Sequence, residues 1–147
     1  MPADGHRVRT AVAADAEAVF ALVEQLGSDY DPDRRAFERA FTEAVGDPDR
    51  HLLLVAADGS DSVVGYCLTT LARLLYTNGE SAQLQELVVD QSSRDQGIGS
   101  ELVGAVEDEC RARGVRQLTV ASSRGASFYE RLDYRSTADF LKKSFED

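Results

Sequence analysis

The residues best placed to do chemistry form one stretch, Leu87-Val88-Val89-Asp90-Gln91-Ser92-Ser93-Arg94-Asp95-Gln96-Gly97-Ile98-Gly99-Ser100. An apolar, β-branched run ends in a polar turn, and Arg94-x-x-Gly97-x-Gly99 then opens a helix. Glycine lets a backbone approach a ligand closely. The first N–H groups of the helix lack partners and stand at the positive end of its dipole. Such a terminus binds phosphate, so a phosphorylated ligand is expected here. The motif is neither a Gly-Lys-Ser/Thr nucleotide loop nor the dinucleotide fingerprint, which needs a ribose-binding acid about 20 residues downstream. Taken alone, an Arg-x-x-Gly-x-Gly turn serves equally to let a helix and a strand pack closely. Immediately upstream, strand alternation puts Glu86 on one face with Leu84 and Val88, an apolar side on which a carboxylate is out of place.

Several elements must position these residues. Arg7 to Val12 alternates as a first strand. Asp15 is expected to cap a helix over about 16–26, carried by Val19, Phe20, Leu22, Val23 and Leu26 and closed by Gly27. A turn over 28–32 leads to a second helix over about 33–45, and Gly46-Asp47-Pro48 breaks it. Strands follow over 51–57, 63–71 and 82–89, the first two joined through Asp58-Gly59. A helix is predicted over 98–113, with Ile98, Leu102, Val106 and Cys110 on its inner face and Gly114 at its end. A strand over 118–121, a short helix over 126–132 and a last strand over 138–145 complete the chain. The order β-α-α-β-β-β-α-β-α-β describes a mixed α/β (α+β) fold, a mostly antiparallel twisted sheet flanked by helices, in a single domain over 1–147.

Composition narrows the class of function. With 147 residues, 43% of them apolar and 29% charged, the chain suits one domain with a real core. A net charge of −10 disfavours nucleic acid, whose phosphates it would repel. It admits a cationic amine. No apolar stretch reaches the length of a membrane span and the N-terminus has no apolar leader, so the expected location is the cytoplasm. Cys67 and Cys110 lack CxxC spacing and read as two buried thiols, while His6 and His51 fit no ligand spacing, so no metal is expected.

Val88-Val89, Arg94-x-x-Gly97-x-Gly99, the amphipathic helix, the strand to Ala121 and then Phe128-Tyr129-Glu130-Arg131-Leu132-x-Tyr134 together resemble the GNAT superfamily of acetyl-CoA-dependent N-acetyltransferases. The likeness covers the element order of the whole chain and is most specific from Leu84 to Tyr134. Gln85-Glu86-Leu87-Val88-Val89 and the stretch Asp15 to Val23 are similar to the aminoalkylphosphonate N-acetyltransferases, and more loosely to aminoglycoside and glucosamine-phosphate acetyltransferases.

The resemblance implies that acetyl-CoA is the cosubstrate. Its pyrophosphate would lie on Arg94, Asp95, Gln96, Gly97, Ile98, Gly99 and Ser100. Its pantetheine arm would run between splayed strands matching Gln83–Val89 and Gln117–Ala121, along Leu87, Val88 and Val89, with Ser122 also expected to bind the cosubstrate. The acceptor amine must be neutral to attack, and Glu86 is the candidate base. Gln83 and Gln85 can only position substrate. A backbone N–H of Leu87 or Val88 would hold the oxyanion if the strand bulges there. Tyr129 matches the tyrosine that protonates the departing thiolate; its alternative is a plain aromatic core position. Tyr30, with Asp29, Asp31 and Asp33, falls where the family shapes its acceptor pocket, although an ordinary solvated turn fits each of them. Arg94 either contacts phosphate or fixes the turn.

The chain also departs from the pattern. Ser122 and Ser123 stand where many relatives carry asparagine, Gly125-Ala126-Ser127 replaces a longer segment with a histidine, and Asp133 replaces a glycine before Tyr134. The expected function is acetyl transfer to a primary amine of a small molecule. Acetylation of a protein or peptide α-amine, or a non-catalytic acyl-CoA-binding regulatory domain, are the alternatives. The resemblance also leaves room for a homodimer.

Overall fold

Alternation of apolar and polar residues is realised as a five-stranded sheet in a computed structural model, which describes residues 5–26, 31–122 and 127–145. The strands are β1 (Arg7–Thr10), β2 (His51–Ala57), β3 (Val63–Leu74), β4 (Gly79–Val89) and β5 (Gln117–Val120), lying side by side in chain order. The first three pairings are antiparallel and β4 pairs with β5 in parallel. A parallel pair needs a crossover, and α3 (Ile98–Arg113) supplies it. Helices α1 (Ala16–Val23) and α2 (Arg34–Gly46) connect β1 to β2, and α4 (Ser127–Glu130) follows β5. The mixed, mostly antiparallel class expected from the sequence is the class observed.

The sheet carries a core on each face. On one side Ile98, Leu102, Val103, Val106 and Cys110 of α3 pack on Leu52, Leu54, Cys67 and Leu84. On the other, Val19 and Leu22 of α1 and Phe41 and Ala44 of α2 pack on Leu53, Val55, Tyr66 and Val88. Helix α3 crosses the sheet closely where it meets Gly65: a Cβ there would lie 3.1 Å from the Val88 carbonyl and 3.3 Å from Leu102. Both cysteines are buried and unpaired.

Four expectations need correction. Asp15 does not cap α1: it closes a 3-10 turn over Ala13–Asp15, and its carboxylate accepts from the Val12 N–H at 2.8 Å and from Arg9 at 2.7 and 3.0 Å. The Arg9 pair wins the side chain because it is charge-assisted and Asp15 is buried. Helix α1 ends at Val23, short of 26, and Gly27 lies outside the described residues, as does most of the 28–32 turn. Helix α4 has four residues against the seven of 126–132, because Leu132 and Asp133 fold back as a turn on Tyr129 and Glu130. The strand expected over 138–145 is not formed: these residues are exposed and carry no ladder, with Phe140, Leu141 and Phe145 in solvent. Phe140 and Leu141 are adjacent, as are Lys142 and Lys143, so the segment does not alternate and no single face commits it to the sheet.

Candidate active site

Pairing between β4 and β5 stops at Leu84 and Val120, whereas β4 runs on to Val89. Among the described residues, 85–89 therefore have β3 on one side and no strand on the other. An open stretch in the middle of a sheet leaves backbone donors and acceptors unpaired, which is costly unless water or a ligand takes them.

A bulge shapes this stretch. Leu68 pairs with Glu86 and Thr69 with Leu84, so Gln85 is the extra residue. The bulge thus sits at Gln85, before the Leu87–Val88 position expected, and it reverses the alternation. Leu84 turns to the α3 core, while Glu86 shares the α1/α2 face with Tyr66 and Val88. The expected shared face of Leu84, Glu86 and Val88 is corrected accordingly. Glu86 is half-buried, and the Tyr66 hydroxyl donates to its Oε1 at 2.6 Å. Tyr66 is 1% exposed. Burial and the adjacent carboxylate hold its phenol far above the ordinary range, so it stays protonated. Sequence reading singled out no role for Tyr66, since a partner twenty positions away on a neighbouring strand leaves no local signature. Gln85 donates to Thr70 Oγ1 at 3.0 Å.

Beyond Val89 the chain enters the glycine turn. Asp90 accepts from the Ser92 N–H and hydroxyl and from Gln25 Nε2 at 2.9 Å. Those bonds hold its carboxyl below the usual range. The Gln91 N–H donates to Gln25 Oε1, which ties the end of α1 to the turn. Arg94 donates through Nε to the Val89 carbonyl at 3.3 Å, which ties its side chain to the end of β4. Asp95, with φ 65°, and Gly97, with φ 79°, adopt left-handed conformations that bring the backbone round into α3. Gln96 and Ser100 are exposed, and Ile98 is buried as the anchor of the first helical turn. Helix geometry leaves the N–H groups of Ile98, Gly99 and Ser100 without acceptors inside the helix.

On the α3 side, Leu87, Val89, Phe128 and Tyr129 all pack against one cluster. A Cβ at Gly99 would meet Phe128 at 3.5 Å and Leu87 at 4.0 Å, so this glycine sits where helix, strand and α4 converge. Tyr129 is half-buried, edge-on to Phe128 at 4.9 Å and to Tyr134 at 5.6 Å. The Tyr134 hydroxyl donates to Glu107 at 2.7 Å, which anchors the α4 turn to α3. Asp133 adopts φ 70°, the conformation for which glycine is better suited. Ser122 lies exposed just past β5, while Ser123, Gly125, Asp29 and Tyr30 fall outside the described residues. Asp31 is exposed, and Asp33 caps α2 by accepting from the Ala36 N–H at 2.9 Å. Among the described residues there is no cluster able to hold a metal, and no helix is long and apolar enough to cross a membrane.

An open strand edge thus leads into a glycine turn and a helix start. The acetyltransferase (GNAT) family model matches residues 17–134, and the chain belongs to that family. The family's enzymes use acetyl-CoA as cosubstrate. The chain is 33% identical over 116 residues to aminoalkylphosphonate N-acetyltransferase of Salmonella typhimurium strain LT2, covering 79% of this chain and 73% of that one. A crystal structure of a transcriptional regulator from Bacillus halodurans C-125 superposes with a TM-score of 0.87 at 25% identity, covering 95% and 99% of the two chains. Glucosamine-6-phosphate N-acetyltransferase from Arabidopsis thaliana superposes at 0.84 with 20% identity over 97% and 100%, a likeness of fold.

Proposed function

We propose that the protein transfers the acetyl group of acetyl-CoA to a primary amine of a small molecule, by direct attack on the thioester. The observation that carries this reading is the open β4 edge over 85–89, with half-buried Glu86 on one face and the Tyr129 cluster on the other. The edge and the turn from Arg94 to Ser100 fit the donor. Outward N–H groups of β4 hydrogen-bond the pantetheine amides alongside Leu87, Val88 and Val89. The α3 start takes the pyrophosphate in a chain whose net charge otherwise repels it.

Glu86 takes a proton from the ammonium and frees its lone pair. The amine nitrogen bonds to the carbonyl carbon, backbone N–H groups of the open edge hold the oxyanion, and the C–S bond then breaks. Tyr129 gives its phenolic proton to the thiolate, and the nitrogen's second proton passes to water, from which the phenolate is reprotonated. The curated relative's name supports an acceptor that carries both an amine and a phosphonate.

The test incubates the protein with acetyl-CoA and 2-aminoethylphosphonate, glucosamine 6-phosphate, spermidine or an unblocked peptide, and follows thiol release. Turnover on an aminophosphonate or amino sugar phosphate with none on peptide is expected. Turnover confined to peptide would replace this reading with α-amine acetylation. The structural neighbour described as a transcriptional regulator favours one other reading, a regulatory domain, for which acetyl-CoA would bind without turnover of any amine.

A further inference from the structure

Tyr66 and Glu86 meet across two strands where, among the described residues, β4 has lost its pairing with β5. We propose that Tyr66 is a positioning residue for Glu86, its hydroxyl fixing Oε1 so that Oε2 is the oxygen left to take the acceptor's proton. The inference rests on Glu86 being the base.

The geometry gives the pair this role. Without support, a glutamate beside a bulge samples several rotamers, and each misplaced one removes the base from the amine. The bond from Tyr66 is short, at 2.6 Å, and charge-assisted. Its donor cannot drift, because the ring is 1% exposed and packed with Val19, Leu22, Phe41, Val55 and Val88. Nor does the donor compete as an acid, since burial keeps the phenol protonated. The proton that Glu86 accepts therefore sits on Oε2 and leaves from there.

Other charged groups do not share this task among the described residues. On β3 the neighbouring thiol of Cys67 is pushed up to about 12 by burial and stays neutral on the opposite face. On β4, Gln83 and Gln85 carry no charge. The acidic and basic side chains of α1 and α2, including Glu17, Arg34, Glu38, Arg39 and Glu43, are exposed, and those helices add only apolar residues to the Tyr66 cluster. Strand β5 has no ionisable residue.

The contact is tested without turnover by carbon-13 labelling of the tyrosine ring Cζ in the full chain. Tyr66→Phe identifies the Tyr66 signal, and Glu86→Gln should then move that signal more than any of the other four tyrosines. An unmoved signal means the bond is absent and overturns the proposal. Kinetics with acetyl-CoA and the amine that turns over, 2-aminoethylphosphonate first, test the role itself. Tyr66→Phe is expected to lower kcat about tenfold and to leave the KM for acetyl-CoA within about twofold. In a Glu86→Gln background the same change should cost less than about twofold. Additive losses in the two variants assign Tyr66 to the core alone. If Glu86→Gln itself retains full activity, the base assignment fails instead, whatever Tyr66 does.

Discussion

The two faces of β4 between Gln85 and Val89 solve different problems with different materials. Toward α3 the face is apolar: Leu87 and Val89 lie with Phe128 and Tyr129 against one cluster, and in the proposed reading the polar work falls to backbone groups of the open edge and the α3 start. Toward α1 and α2 a single carboxylate stands in an apolar layer, held by one buried phenol. A backbone-built site tolerates side-chain change so long as the turn and the splay survive. A site built on one carboxylate fails with one substitution. The donor half should therefore resist conservative changes that the acceptor half cannot absorb.

The largest effect should come from Glu86→Gln. Loss of a general base costs about 10²–10³ in kcat/KM, while acetyl-CoA binding measured by calorimetry stays within about twofold. A drop in acetyl-CoA affinity of the same size would erase the proposed division between the two faces.

Asp15→Asn probes neither face and calibrates stability. Arg9 holds the Asp15 carboxyl below the usual range, with the Val12 N–H adding to it. The contribution is therefore present above the unfolded value near 4 and is lost as pH falls through the lower folded value. Partial exposure of Arg9 reduces the loss for a broken ion pair to about 2 kcal/mol at pH 7, read by urea unfolding. The gap between parent and variant should narrow on acidification toward pH 3. A gap that widens there contradicts the linkage.

Tyr129→Phe is expected to reduce kcat about tenfold at neutral pH, or about 1.4 kcal/mol, because a thiolate is already a fair leaving group. The deficit should shrink in alkaline buffer if a thiolate can leave unaided there. Equal turnover by parent and variant at both pH values removes the tyrosine from the donor face.

The smallest change is Gly97→Ala. Its Cβ would meet nothing within 4 Å, so only the left-handed φ of 79° resists it. About 1 kcal/mol of stability should be lost, with a few-fold rise in the KM for acetyl-CoA and little change in kcat. An unchanged KM would mean the turn does not hold the donor.

Legibility in the sequence follows the same divide between the faces. Helix α3 from Ile98 to Arg113 and the strand His51–Ala57 appear with the boundaries their patterns predict, since a 3.6-residue stripe and an apolar run are local signals. The glycine turn that opens α3 was equally readable, although its left-handed backbone at Gly97 was not. The identity of Glu86 as an out-of-place carboxylate was visible, but its face was not: strict alternation predicts the company of Leu84, and one bulged residue undoes it. Asp15 has the residue type of a cap, and only the fold brings Arg9 close enough to take it. The segment 138–145 contains residues with strand propensity and still finds no ladder.

By itself, then, the sequence determined α3, β2 and the glycine turn between β4 and α3, because each depends on neighbours within a few positions. Its match to the family's motifs extended that to the acetyl donor. Only the tertiary structure decided where β4 parts from β5, which residue the bulge displaces, and that Tyr66 reaches Glu86 from twenty positions away. Those outcomes depend on register between strands, and register is a property of the assembled sheet that no single segment carries.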